Sequence, residues 1–120
     1  MKTSKYFSPG EFKGCSPTCS IDDMDQGFLG IMDQIREEVG QSLVITSAYR
    51  TKKWELSKGR SGNGAHTRGL AVDFACNTGT LRAKIVKAAL SCGIRRIGIA
   101  SGFVHVDIDD TLPQNVIWTY

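Results

Sequence analysis

His66 and His105 are the only two histidines among 120 residues, and each stands near an aspartate. In GAHTRGLAVDFA (residues 64–75), Asp73 follows His66 by seven positions; in FVHVDID, Asp107 follows His105 by two. Two imidazoles and one carboxylate make a three-ligand set for catalytic zinc, with a fourth position left for water. Zinc brings the pKa of that water down to about 7, so hydroxide becomes available near neutral pH. The same residues also suit an ordinary hydrogen-bonded pair on neighbouring strands. Spacing alone leaves both readings open.

Strand periodicity decides which side chains can meet. In FVHVDI, Phe103, His105 and Asp107 share one face, and Val104, Val106 and Ile108 form an aliphatic face suited to a core. In LAVDFA, Ala71 and Asp73 oppose Leu70, Val72 and Phe74. His105 and Asp73 thus each lie on the polar side of a strand whose other side is buried, and can converge across a sheet. His66 is an odd number of residues from Asp73, which on one continuous strand places them on opposite faces. A shared site requires a bend, and Gly69 is where a kink or bulge can form.

The elements around these segments follow from local signals. Ser20 is a good N-cap, and Asp22, Asp23 and Asp25 place negative charge at a helix start. Phe28, Ile31, Met32, Ile35 and Val39 then form one apolar stripe, with Gly40 as a stop. SLVITSAYR (residues 42–50) reads as a strand rich in β-branched residues. TKKWELSKGRSGNG (residues 51–64) reads as a long basic loop, of a length that is usually functional or disordered. Thr80 or Asn77 caps a second helix, striped by Leu81, Ile85, Val86, Ala89 and Leu90 and ended by Gly93. RIGIA and FVHVDI are strands joined by a Ser101-Gly102 hairpin turn, and NVIWTY adds a last short strand. Without a strict βαβ rhythm, the expectation is an α+β fold with a small, mainly antiparallel sheet flanked by helices.

At this length the chain is expected to form one domain, 1–120, with residues 1–19 as an irregular arm around Pro9, Gly10 and Pro17. Fifteen lysines and arginines against 12 acidic residues leave a net charge of +3. That suits an anionic partner without demanding one. No apolar run follows the N-terminal lysines, so a Sec signal peptide is not expected. Nor does any stretch approach the roughly 18–20 apolar residues that cross a membrane. The expectation is synthesis in the cytoplasm, with action outside dependent on another releasing factor. The four cysteines are Cys15, Cys19, Cys76 and Cys92. CSPTC has the wrong spacing for a usual zinc knuckle and lacks a matching second pair, so free thiols are expected.

SAYR, then HTRGLAVDF, then FVHVD before a terminal W-x-Y resembles the zinc D-Ala-D-Ala carboxypeptidase and phage endolysin family, which includes L-alanyl-D-glutamate peptidases. The shared mark is H-x-x-G-x-A-x-D followed by a later histidine, matched here by His66, Gly69, Ala71, Asp73 and His105 across residues 47–120. The resemblance implies a hedgehog-like, D-Ala-D-Ala-peptidase-like fold and one Zn2+ held by His66, Asp73 and His105. It also implies that Arg50, from the S-x-x-R element begun by Ser47, lies near the scissile carbonyl. A guanidinium there can hold a substrate carboxylate or a developing oxyanion.

Two positions depart from that pattern. Many relatives have serine where this chain has Gly64, and an acidic general base where it has Gly102. A base must take a proton from the attacking water and return it to the leaving amine. Asp107 is the substitute candidate, since it shares His105's face; it is equally placed to orient an imidazole from behind. Glu55 and Asp109 are weaker candidates. GRSGNG lacks the Lys-Ser/Thr of a phosphate loop. Lys52, Lys53, Lys58, Arg60 and Arg68 suit a solvated loop, nucleic acid or a cleft rim for carboxylate-bearing peptides. Trp54 suits substrate stacking or packing, while Trp118 and Tyr120 suit packing against the site wall.

The resulting expectation is a monomeric zinc peptidase that cuts peptidoglycan stem peptides, of phage or prophage endolysin type, with no nucleic-acid partner and no membrane insertion. The alternative is a non-catalytic zinc- or wall-binding module on the same fold.

Overall fold

The computed structural model describes residues 1–12, 19–62 and 64–120. Among the described residues, three helices, α1 (Gln26–Val39), α2 (Lys52–Ser57) and α3 (Gly79–Ser91), accompany five strands. These are β1 (Ile45–Ser47), β2 (Ala71–Ala75), β3 (Arg96–Ile99), β4 (Phe103–Asp107) and β5 (Val116–Thr119), in the order β1-β2-β4-β3-β5.

The sheet is mixed rather than mainly antiparallel. β1·β2, β2·β4 and β3·β4 run antiparallel, but β5 lies parallel to β3. The connection explains this. Asp107 at the end of β4 is level with Arg96 at the start of β3, and the chain crosses there to begin β5 opposite Arg96. A strand launched beside β3's first residue can only run in β3's direction.

The two faces of the sheet divide as strand alternation requires. Val72, Phe74, Ile97, Val104 and Val106 are buried with Phe28, Leu29, Met32 and Ile35 of α1 and Ile85 and Ala89 of α3. Each of these side chains larger than alanine contributes about 1.5–3 kcal/mol relative to exposure. The opposite face carries Asp73, His105 and Asp107. Asp73 pairs directly with His105 across β2·β4, and Ala71 with Asp107.

Several local expectations are corrected. Ser20 caps only a short 3-10 turn, Ile21–Asp23; Asp25 then caps α1 by accepting the Phe28 N–H at 2.9 Å. The break has a tertiary cause, because the Asp25 N–H donates to Gly69 O at 3.0 Å. Thr78, rather than Thr80 or Asn77, caps α3, and Leu90 faces solvent instead of completing the stripe. β1 is shorter than residues 42–50 because its register shifts between Ile45 and Ser47 and the backbone then leaves the sheet, the Arg50 N–H donating to His66 O. The basic segment contains α2, capped by Thr51 through the Trp54 N–H at 3.0 Å.

The N-terminal arm belongs to the core. Phe7 and Phe12 are buried, and the Phe7 ring lies 6.0 Å from that of Phe74. Asp33 of α1 accepts from Ser4 Oγ and from the backbone N–H groups of Lys5 and Tyr6. Cys19, Cys76 and Cys92 are free thiols, whereas Cys15 lies outside the described residues. Among the described residues, no helix is long and apolar enough to cross a membrane.

The required bend is present at Gly69, with φ of 72° at the end of the 3-10 turn Ala65–Arg68. A Cβ there would come within 2.2 Å of Asp23 O, so both handedness and space demand glycine. Gly69→Ala is expected to cost about 2–3 kcal/mol of unfolding free energy, measured by urea denaturation. A loss below about 1 kcal/mol would mean that the 20–25 segment yields easily to the new methyl group.

Candidate metal centre

The His66 turn is docked by its backbone before its side chain does anything. Arg50 N–H donates to His66 O at 3.1 Å, and the Leu70 N–H closes the turn on Ala65 O at 3.2 Å. This hold turns His66 toward β2 and β4. His66 Nε2 lies 3.2 Å from His105 Nδ1 and 3.4 Å from Asp73 Oδ1, and His105 Nδ1 lies 2.9 Å from Asp73 Oδ1. All three side chains are buried.

Hydrogen bonds on the outer sides of the rings decide what faces inward. His66 Nδ1 sits 2.6 Å from Ala48 O, which can only accept, so that nitrogen carries the proton. His105 Nε2 sits 2.7 Å from Asp107 Oδ2 and donates to it. In the neutral imidazoles, His66 Nε2 and His105 Nδ1 therefore present lone pairs to each other and to Asp73 Oδ1. Three converging acceptors need a cation between them. Ligands at about 2.0–2.1 Å from a tetrahedral zinc would stand about 3.3–3.4 Å apart, close to the spacings observed. The donor set fits the metal.

Electrostatics agree. Burial alone would raise the Asp73 carboxyl, but hydrogen bonds and charge from His105 and His66 hold it well below the usual carboxylate range. Burial would lower His105, yet its bonds to Asp107 and Asp73 raise it above its ordinary value. Without metal, a proton between His105 Nδ1 and Asp73 can take the place of a cation. Zinc and that proton compete, so apparent zinc affinity should increase with pH until the raised His105 value is passed. The expected slope is about tenfold per pH unit below it. Competition titrations against a chromophoric chelator, corrected for the chelator's own protonation, measure this; a flat profile would contradict it.

Arg50 lies beside Asp73. Its Nη2 lies 3.2 Å from Asp73 Oδ2, its Nε donates to Ser47 Oγ at 2.8 Å, and its Nη1 lies 3.5 Å from Glu55 Oε1. One Asp73 oxygen is thereby turned to the histidines and the other to the guanidinium. Ser47 holds Arg50 in place.

Asp107 lies at the outer nitrogen of His105. Its Oδ2 receives the outer nitrogen of His105, while Oδ1 accepts from Arg96 Nε at 2.8 Å and from the Asp109 N–H at 3.1 Å. The carboxylate lies behind the imidazole, away from the face that His66 and Asp73 share. Asp109 is also committed, to Arg68 and Thr111.

The peptidase M15 family model matches residues 5–107, from the N-terminal arm to the end of β4. The chain belongs to the peptidase M15 family. Among curated proteins, none matches it. An M15 peptidase is a zinc metallopeptidase at family level, and His66, Asp73 and His105 form the one metal-competent group among the described residues.

Two further residues of this M15 chain flank the site: Trp118, for which packing against the site wall was expected, and Arg96, which was not singled out. Trp118 lies with its ring 5.3 Å from that of His105, and Arg96 stacks on the same indole at 4.9 Å. The indole can lie there because β3 has Gly98, where a Cβ would meet Trp118 Nε1 at 2.7 Å. Arg96 was visible in principle: it shares strand parity with Gly98, and Gly98 pairs with His105.

Proposed function

We propose that this M15 chain hydrolyses a peptide bond in peptidoglycan stem peptides, as a zinc enzyme of phage or prophage endolysin type that acts on the wall once another factor releases it. The observation carrying this reading is the convergence of three lone-pair donors whose outer partners, Ala48 O and Asp107, are already fixed. His66, Asp73 and His105 would hold the metal. Bound zinc would polarise the scissile carbonyl and acidify the attacking water.

The chain's own residues set the geometry. Asp107 and Ala48 hold the two imidazoles in the tautomers that face inward, and Arg50 fixes the rotation of Asp73. Arg50 is tethered by Ser47, Glu55 and Asp73, yet its guanidinium has five N–H donors. Those left over can meet a substrate carboxylate or a carbonyl oxygen as charge develops on it. Asp107 acts as a positioning residue, and Trp118 keeps water from the His105 face.

A non-catalytic zinc- or wall-binding module is favoured by two features: Asp107 faces away and Gly102 carries no acid. Zinc content combined with turnover separates the readings. The expected result is one zinc per chain and release of new amino termini from purified peptidoglycan. Bound zinc with no new termini from any wall type would sink the enzyme reading and leave the module.

A further inference from the structure

α2 carries a buried carboxylate that the peptidase chemistry does not use. Glu55 is 5% exposed, and its two oxygens bind different arginines. Oε1 lies 3.5 Å from Arg50 Nη1, and Oε2 lies 3.0 Å from Arg60 Nη1. A buried carboxylate is tolerated when charged partners satisfy it, and here it ties the arginine beside the metal cluster to one at the surface. Trp54, one residue earlier, reinforces the link. Arg50, Lys58 and Arg60 all lie over its ring, at 5.6, 5.5 and 5.3 Å.

The local charges do not cancel. Arg50, Lys58 and Arg60 bring three positive charges against two carboxylates, Glu55 and the Asp73 that Arg50 also meets, which leaves one positive charge in excess. The Arg60 side chain is 51% exposed, so part of its donor fork faces solvent. A planar fork beside an aromatic face suits a carboxylate attached to an apolar or amide-bearing stem. The patch is also continuous, through Glu55 and Arg50, with Asp73. Anything anchored there is held next to the metal cluster rather than along an extended basic surface of the kind that nucleic acid needs.

We propose that Trp54, Lys58 and Arg60 form a substrate subsite for a carboxylate-bearing peptide, with Glu55 as the positioning residue that keeps Arg60 and Arg50 in one frame. The proposal rests on the peptidase reading for its substrate class. Its direct measurement is binding, which does not require turnover.

The probe is a synthetic stem pentapeptide, compared with the same peptide whose carboxyl groups are converted to carboxamides. Each is titrated calorimetrically into the full chain after chelation, with zinc uptake measured separately. The free peptide is expected to bind about tenfold more tightly than the amidated one. Arg60→Ala should remove most of that preference and lower the melting temperature, because buried Glu55 then keeps Arg50 as its charge partner without Arg60, while the amidated peptide binds as before. Glu55→Gln should raise KM for the free peptide about tenfold in the zinc-loaded chain while leaving the KM of the amidated peptide little changed. Equal affinity for the two peptides, no detectable binding of the free one, or a preference retained in Arg60→Ala would overturn the proposal. So would tighter binding of a short single-stranded oligonucleotide than of the peptide. Failure of zinc uptake alongside an intact peptide preference would instead count against the metal reading alone.

Discussion

Replacing His66 with alanine is expected to abolish zinc uptake and to reduce peptide hydrolysis at least about a thousandfold. Lewis-acid stabilisation by a metal is worth several kcal/mol of barrier, and about 4 kcal/mol corresponds to that factor. The buried trio makes the loss complete, because His105 and Asp73 alone leave two ligands where three are needed. A stability readout accompanies it. Zinc at about a hundred times its dissociation constant stabilises a folded protein by about 2.7 kcal/mol, or on the order of 10 °C for a chain of this size. The wild-type protein should show that rise after chelation and re-addition of zinc, and His66→Ala should not. The variant also leaves Ala48 O without its buried donor, which costs about 1–3 kcal/mol whether or not zinc is present. The zinc-dependent increment, rather than the absolute melting temperature, is therefore the quantity that reads the metal. An undiminished increment in the variant would show that zinc binds elsewhere.

What could be seen in advance was whatever depends on strand alternation. The parity of Phe103, His105 and Asp107 against Val104 and Val106 is local, and the structure places those sets on the site and core faces. The odd separation of His66 and Asp73 called for a bend, and Gly69 supplies it with a left-handed φ. The features that were missed depend on contacts made by distant residues. The interruption before α1 comes from the Asp25 N–H meeting Gly69 O, which no window around Ser20 contains. The N-terminal arm looks irregular in sequence because its order comes from Asp33 and Phe74. α2 did carry a local signal, Thr51 ahead of LysLysTrpGluLeu, but lysines and glycines around it suggest a loop. Its burial of Glu55 between two arginines is tertiary and invisible to spacing.

The direction of Asp107 illustrates the limit at the level of one side chain. Sharing a strand face with His105 brings the carboxylate within reach of either imidazole nitrogen. Strand parity cannot say which. Arg96, opposite Asp107 on β3, decides it by drawing Oδ1 to its own side, so that Oδ2 meets the outer nitrogen.

Asp107→Asn is accordingly expected to weaken zinc binding by about 10–100-fold, the range seen when an outer partner of a ligand histidine is altered. It should also cost about 3 kcal/mol of stability, because the largely buried Arg96 guanidinium loses its charge partner. The two roles considered for Asp107 predict different kinetics. A general base contributes to the proton-transfer step, so its loss would lower kcat at saturating zinc and remove the acidic limb of the pH profile while leaving zinc affinity intact. A positioning carboxylate acts through His105 Nδ1, so its loss would appear first in zinc affinity, with most of the turnover restored as zinc is raised. The geometry predicts the second pattern: Asp107 is 1% exposed, and both of its oxygens are occupied on the side of His105 away from Asp73 and His66. Zinc titration of Asp107→Asn, followed by turnover of peptidoglycan at each zinc concentration, distinguishes them. Unchanged zinc affinity with a collapsed kcat would restore the carboxylate to the role of base and require a rotamer that breaks its bond to Arg96.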